Sequence, residues 1–449
     1  MKRLSKLLGL LLALMLLAAA CGGADPAGSG GDDAEDDATE TETETEADAG
    51  DDAADDDEGD DAAGLGEITV WVMGEDERLQ EMMAGYEADF EAANAGSDVI
   101  VEYIPWDGGK DRFINSITSG DVPDLAESAS TWTPEFAAIG GLEAETDIDS
   151  DWVPSLVDAA TVDGEVYGAP WYAGTRSFIY RTDIFDELGL EVPTTWEELE
   201  AAADTIKAET DIQYPLIVPG DYMHMLLPMV WQAGGEIAEL QDGQWVSNIN
   251  DEAGVLAFET YARWHSEYAA PETLNQNEAE AREGAFDNGD AAMMIGGAWD
   301  VTGAAAANPE LEGKLGTAVI PAGPGGSWTF LGGSHLSVFA DSDNSEGAHA
   351  FRDFILSAEQ LTKFTDEFGF WAGTNAGINE SALLQDPIME AFGITVRDHT
   401  KVYPVTAAWG ALETDPKPQT TAIQAIIQGA DVQATLDTLK ADIEAALNG

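Results

Sequence analysis

Glu67-Ile68-Thr69-Val70-Trp71-Val72 reads as a β-strand, rich in branched and aromatic residues. An amphipathic helix follows from about Glu77 to Asn94, then a second strand from Val99 to Ile104. The alternation continues. Ile114 to Thr118 is helix-like, Pro123 to Ala126 strand-like, and Pro134 to Ile139 helical. Glu165 to Pro170 and Ser177 to Tyr180 are expected as strands. Pro193-Thr194-Thr195-Trp196-Glu197-Glu198-Leu199 starts a helix, with Thr at the N-cap and acids in the first turn, running to Ala208. Strands alternating with helices predict α/β layers with open sheets. There is no internal repeat of short period.

Upstream of this strand the chain changes character twice. Lys2, Arg3 and Lys6 precede an apolar run from Leu7 to Leu17, then Ala18, Ala19, Ala20 and Cys21, the layout of a secretory signal. The run is too short to span a bilayer comfortably. Cys21, the only cysteine, is followed by Gly22 and Gly23 and resembles the lipidated cysteine of bacterial lipoproteins, which implies a membrane tether. Plain cleavage beside an incidental thiol is the alternative. Residues 24–64 hold 19 acids and no base, with nothing apolar to offset ordering entropy. That composition is expected to give a disordered, self-repelling spacer reaching roughly 35 Å.

The 449 residues suffice for two or three domains, and 44% hydrophobic content excludes disorder of the whole chain. Eighteen basic residues against 87 acidic ones give a net charge of −69, which repels phosphate backbones and excludes nucleic acid as a partner. Beyond the spacer 68 acids still face 15 bases, too many for one binding patch. The excess points to a whole-surface property, as in high external salt. One cysteine excludes an intramolecular disulfide and a cysteine zinc site, and no two of the five histidines have metal-ligand spacing. No metal, cofactor or catalytic residue is expected.

Five stretches in order resemble one family, the substrate-binding lipoproteins of bacterial carbohydrate ABC importers, the group that includes maltose-binding protein. They are Gly120-Asp121-Val122-Pro123-Asp124-Leu125 with Thr131 to Phe136; Asp163 to Tyr172 running on to Tyr180 to Phe185; the helix start at Pro193; Phe286 to Trp299; and Gly332 to Val338. The resemblance covers about residues 66–449. It implies a type II periplasmic-binding-protein-like fold: two α/β lobes, each an open sheet flanked by helices, joined by a hinge. The family pattern places the N-terminal lobe at 66–172 plus 332–370 and the C-terminal lobe at 173–331 plus 371–449. The implied function is that of a monomeric, non-enzymatic receptor. It would sit on the outer face of the cell membrane, close on a di- or oligosaccharide and deliver it to an ABC permease. A same-fold receptor for a polyamine is the second reading, and a secreted glycoside hydrolase the third.

A sugar cleft needs flat apolar faces for ring C–H groups and polar groups for hydroxyls. Trp71, Trp106, Trp132, Trp171, Trp299, Trp371 and Trp409 fall at strand ends or in Gly/Pro-rich loops, whereas Trp196, Trp231 and Trp264 sit in core-like patterns. The resemblance places a stacking aromatic at Trp299 and cleft aromatics at Trp132, Tyr222 and Trp409. It places polar groups at Glu75 and Asp76; Asp107 and Asp300 follow Trp106 and Trp299. Trp171-Tyr172-Ala173-Gly174-Thr175-Arg176 lies where the chain first crosses between lobes. Arg176 either bonds ligand or braces the hinge, and His335, at another crossover, either donates to ligand or fills space.

Overall fold

The computed structural model describes residues 64–449 except Ala270 and Asp415, so the expected signal, Cys21 and the spacer lie outside the described residues. Nine strands carry the architecture: β1 (Gly66–Met73), β2 (Ser97–Ile104), β3 (Leu125–Ala129), β4 (Ala169–Gly174), β5 (Arg176–Arg181), β6 (Met293–Gly297), β7 (Leu315–Ala318), β8 (Gly332–Val338) and β9 (Trp371–Ala372). Six form one sheet in the order β9-β4-β8-β3-β1-β2, and three form another in the order β6-β5-β7.

The opening strand behaves as its composition requires. Ile68, Val70 and Val72 are buried at alternate positions, and β1 pairs in parallel with both β2 and β3. The helix Glu77–Ala93 covers it with Leu79, Met83, Tyr86 and Phe90, spaced three and four apart on one face. Phe351 and Phe364, from two later helices, complete that core. In the second lobe Thr195 caps the helix Trp196–Glu209 by accepting from the Glu198 backbone. Trp196, Trp231 and Trp264, expected inside, lie with Phe258 and Tyr261 in its core.

The chain passes between these two sheets twice. β4 ends at Gly174 in the first and β5 begins at Arg176 in the second; the return falls between β7, ending at Ala318, and β8. After β9 the chain leaves the first sheet, and the helix Glu390–Asp398 packs on β5 and β7. Glu165–Pro170, expected as one strand, is split between the hairpin strand Glu165–Val166 and the start of β4. Among the described residues no helix is long and apolar enough to cross a membrane.

A candidate ligand cleft between the lobes

Ligands of open α/β sheets gather at the carboxyl ends of the strands. In the first lobe β1, β2 and β3 run parallel, so the loops leaving them rise at the same end. Those loops are Gly74-Glu75-Asp76, Pro105-Trp106-Asp107 and Ser130-Thr131-Trp132. The Trp106 ring stands edge-on to Trp132, centroids 5.5 Å apart, and is itself 46% exposed. Trp132 is buried behind it against Phe113 and Phe136. Glu75 and Asp107 are exposed. Asp76 caps the helix that follows and pairs with Arg78 at 3.2 Å. Partial burial opposes the charge on Asp76, yet the bonds from Arg78 outweigh it and hold the carboxyl below its ordinary range.

The opposing face is built differently. Arg176 opens β5 opposite Gly297 of β6, and Trp299 sits in the first turn of the helix that follows β6. A Cβ on Gly297 would lie 2.1 Å from the Trp299 ring, so only glycine lets the indole fold back there. The Arg176 guanidinium lies 5.2 Å from the Trp299 centroid, binds Glu278 at 2.5 Å and donates to the Tyr222 hydroxyl at 2.7 Å. Tyr222 in turn donates to Glu278. Burial pulls the Arg176 pKa down, but the Glu278 charge outweighs it and the shift is upward. Phe370 also lies 5.3 Å from the Trp299 ring and stacks on Tyr172 at 4.2 Å, whose hydroxyl donates to buried Glu127 at 2.5 Å.

A third group joins the faces. Glu413, from the turn Gly410–Glu413 of the second lobe, accepts from Thr131 Oγ1 at 2.9 Å, Trp132 Nε1 at 2.9 Å and Trp409 Nε1 at 3.0 Å. Burial pushes its carboxyl up against the pull of these bonds and of Lys110. Trp409 stacks on Tyr403 at 4.8 Å, Tyr403 on Phe330 at 4.1 Å, and Phe330 on the His224 ring at 5.0 Å. His224 Nδ1 lies 3.0 Å from the Tyr403 hydroxyl. Burial, with Arg176 and Lys417 nearby, drives the His224 pKa well down, so the ring is neutral. Beside this line a small cavity of about 20 Å³ lies between Ser155 and Leu156 of the first lobe and Tyr403, Thr406 and Trp409 of the second.

Of the residues singled out in the sequence, Trp132 and Trp409 meet at Glu413 with Trp106 against Trp132, and Arg176 and Tyr222 meet at Glu278 with Trp299 beside Arg176. Four others are placed elsewhere. Trp171 is fully enclosed, because β4 is an interior strand with every residue buried; its ring lies 4.3 Å from Phe364. Trp371 packs in the interior beside Gly393 of the helix Glu390–Asp398. Asp300 turns inward to accept from the Gly297 backbone at 2.8 Å and from Arg282, and burial pushes its pKa well up. His335 is completely buried in the first lobe. Its Nε2 donates to the Leu156 carbonyl at 2.9 Å, which leaves Nδ1 to accept from the Thr133 hydroxyl at 2.8 Å. Glu413, Glu278, Tyr403 and His224 were not singled out. Among the described residues no group of three or more His, Cys, Asp or Glu side chains is arranged to hold a metal ion.

Residues 71–362 match the family model described as bacterial extracellular solute-binding protein. The chain belongs to that family. It is therefore a receptor and not an enzyme. The diacetylchitobiose binding protein DasA of Streptomyces coelicolor is 31% identical over 379 residues, spanning 81% of this chain and 85% of that protein. The acarbose-binding GacH receptor of Streptomyces glaucescens shares the fold with a TM-score of 0.77 at 23% identity, over 85% of this solute-binding protein and 98% of GacH. The sugar-binding protein MalE of Xanthomonas citri superimposes with a TM-score of 0.68 at 25% identity, over 85% and 97% of the two chains.

Proposed function

We propose that this solute-binding protein captures a neutral di- or oligosaccharide between its lobes and delivers it to an ABC permease on closure. The observation that carries the reading is the exposed Trp106 ring, backed by Trp132 on one lobe, together with a half-buried Trp299 beside Arg176 on the other. Indole faces suit the C–H face of a sugar ring, while Arg176, Tyr222, Glu413 and the Glu75–Asp76 loop supply donors and acceptors for hydroxyls. The likeness to the diacetylchitobiose binding protein makes an N-acetylated disaccharide the first ligand to try. Lipidation of Cys21 would keep the receptor beside its permease, and the lobes need no second copy to form the cleft.

Titration calorimetry with diacetylchitobiose, lactose and maltose tests the reading. Trp299→Ala should weaken the productive sugar tenfold or more, about 1.4 kcal/mol, with the fold retained. Unchanged affinity in that variant would remove Trp299 from the site, and no heat from any sugar would remove the ligand class.

A further inference from the structure

The turn Gly410–Glu413 meets the first lobe at two places. Glu413 holds Thr131 and Trp132 there, as described. Three residues earlier, Gly410 rests on the ion pair between Lys110 and Glu135, whose atoms are 2.6 Å apart. A Cβ on Gly410 would fall 1.9 Å from Glu135 Oε2 and 2.2 Å from Lys110 Nζ, so the approach depends on the bare glycine backbone. Lys110 also reaches Thr414 Oγ1 at 3.4 Å. On its own side the turn is anchored, since it packs on the long helix Val432–Asn448 of the second lobe.

We propose that the Gly410–Glu413 turn is a clasp through which the second lobe fastens to the first, so that closure is favoured before any sugar binds. Burying a carboxylate is costly unless donors meet it, and here two of its three donors belong to the other lobe. Opening the lobes strips those two bonds from Glu413 and unseats Gly410 in one movement. The clasp therefore sets the fraction of receptor already closed, and the apparent affinity for ligand scales with that fraction.

The claim rests on the lobes opening and closing, and its test needs no sugar. Spin labels at Glu81→Cys in the first lobe and Glu209→Cys in the second, in a Cys21→Ser chain, report the interlobe distance. Without sugar, Glu413→Gln and Gly410→Ala should each lower the closed-to-open ratio about tenfold, the scale of a charged hydrogen bond or two. Trp132→Phe keeps the ring, removes one donor and should shift the ratio less in the same direction, which covers a Glu413 variant that folds poorly. Distance distributions in all three that superimpose on the parent would overturn the clasp. Sugar affinity, measured separately, would leave or remove the ligand assignment on its own terms.

Discussion

The two faces of the proposed cleft solve one problem by opposite means. The first lobe presents uncharged indoles on loops, with Trp106 46% exposed and Trp132 buried behind it. The second sinks a full ion pair, Arg176 to Glu278, beneath an indole and a phenol, with Arg176 only 8% exposed. A loop indole can adjust to a ligand at little cost, whereas a buried ion pair fixes its neighbours in place. The first face is thus adaptable and the second preorganised, and each is open to a different kind of damage.

The harshest test falls on the second face. Glu278→Ala leaves the Arg176 guanidinium buried without its carboxylate, and breaking such a pair costs about 3–5 kcal/mol. Urea unfolding should show a loss of that size. The double variant Arg176→Met with Glu278→Leu should recover much of it, because an apolar pair of similar bulk leaves no stranded charge. A loss below about 1 kcal/mol in the single variant would mean that the face is not held by the pair.

Behind the first face stands a neutral histidine instead. Burial lowers the His335 pKa from 6.5 to about 4, so the unfolded chain takes up a proton before the folded one does. Its contribution is intact above pH 6.5 and is lost as pH falls toward 4, by about 3 kcal/mol over that window. Comparing urea unfolding of the parent and His335→Gln at several pH values isolates this share from the carboxylates. If the two chains lose stability in parallel between pH 6.5 and 4, His335 is not the group responsible.

These contrasts were partly legible in the sequence. The strand at Glu67 and the helix after it fix where three parallel strands end, and from there the loops bearing Glu75, Trp106 and Trp132 follow. Trp299 was singled out by the family pattern, and the structure adds that bare Gly297 before it leaves room for the ring. Trp171 and Trp371 were not legible: a strand-end position does not tell which strands are covered on both faces, and β4 is interior to a six-stranded sheet. Glu413 and Glu278 gave no signal at all. In a chain with 87 acids, two carboxylates that meet buried donors look like the many that meet water.

The gentlest variant sharpens the comparison most. Trp106→Ala removes an exposed ring whose one resolved aromatic contact is the edge of Trp132. An aromatic pair contributes about 0.5–1.5 kcal/mol beyond buried area, and at this exposure the lower end applies, so thermal unfolding should barely move. Sugar affinity should nonetheless fall about tenfold, since stacking on a ligand buries the face that water covers now. That ratio, a small change in stability beside a large change in binding, is the signature of an adaptable surface, and Glu278→Ala should show the reverse order. Were Trp106→Ala to cost stability and spare binding, the ring would be packing for Trp132, and the first face would be the rigid one.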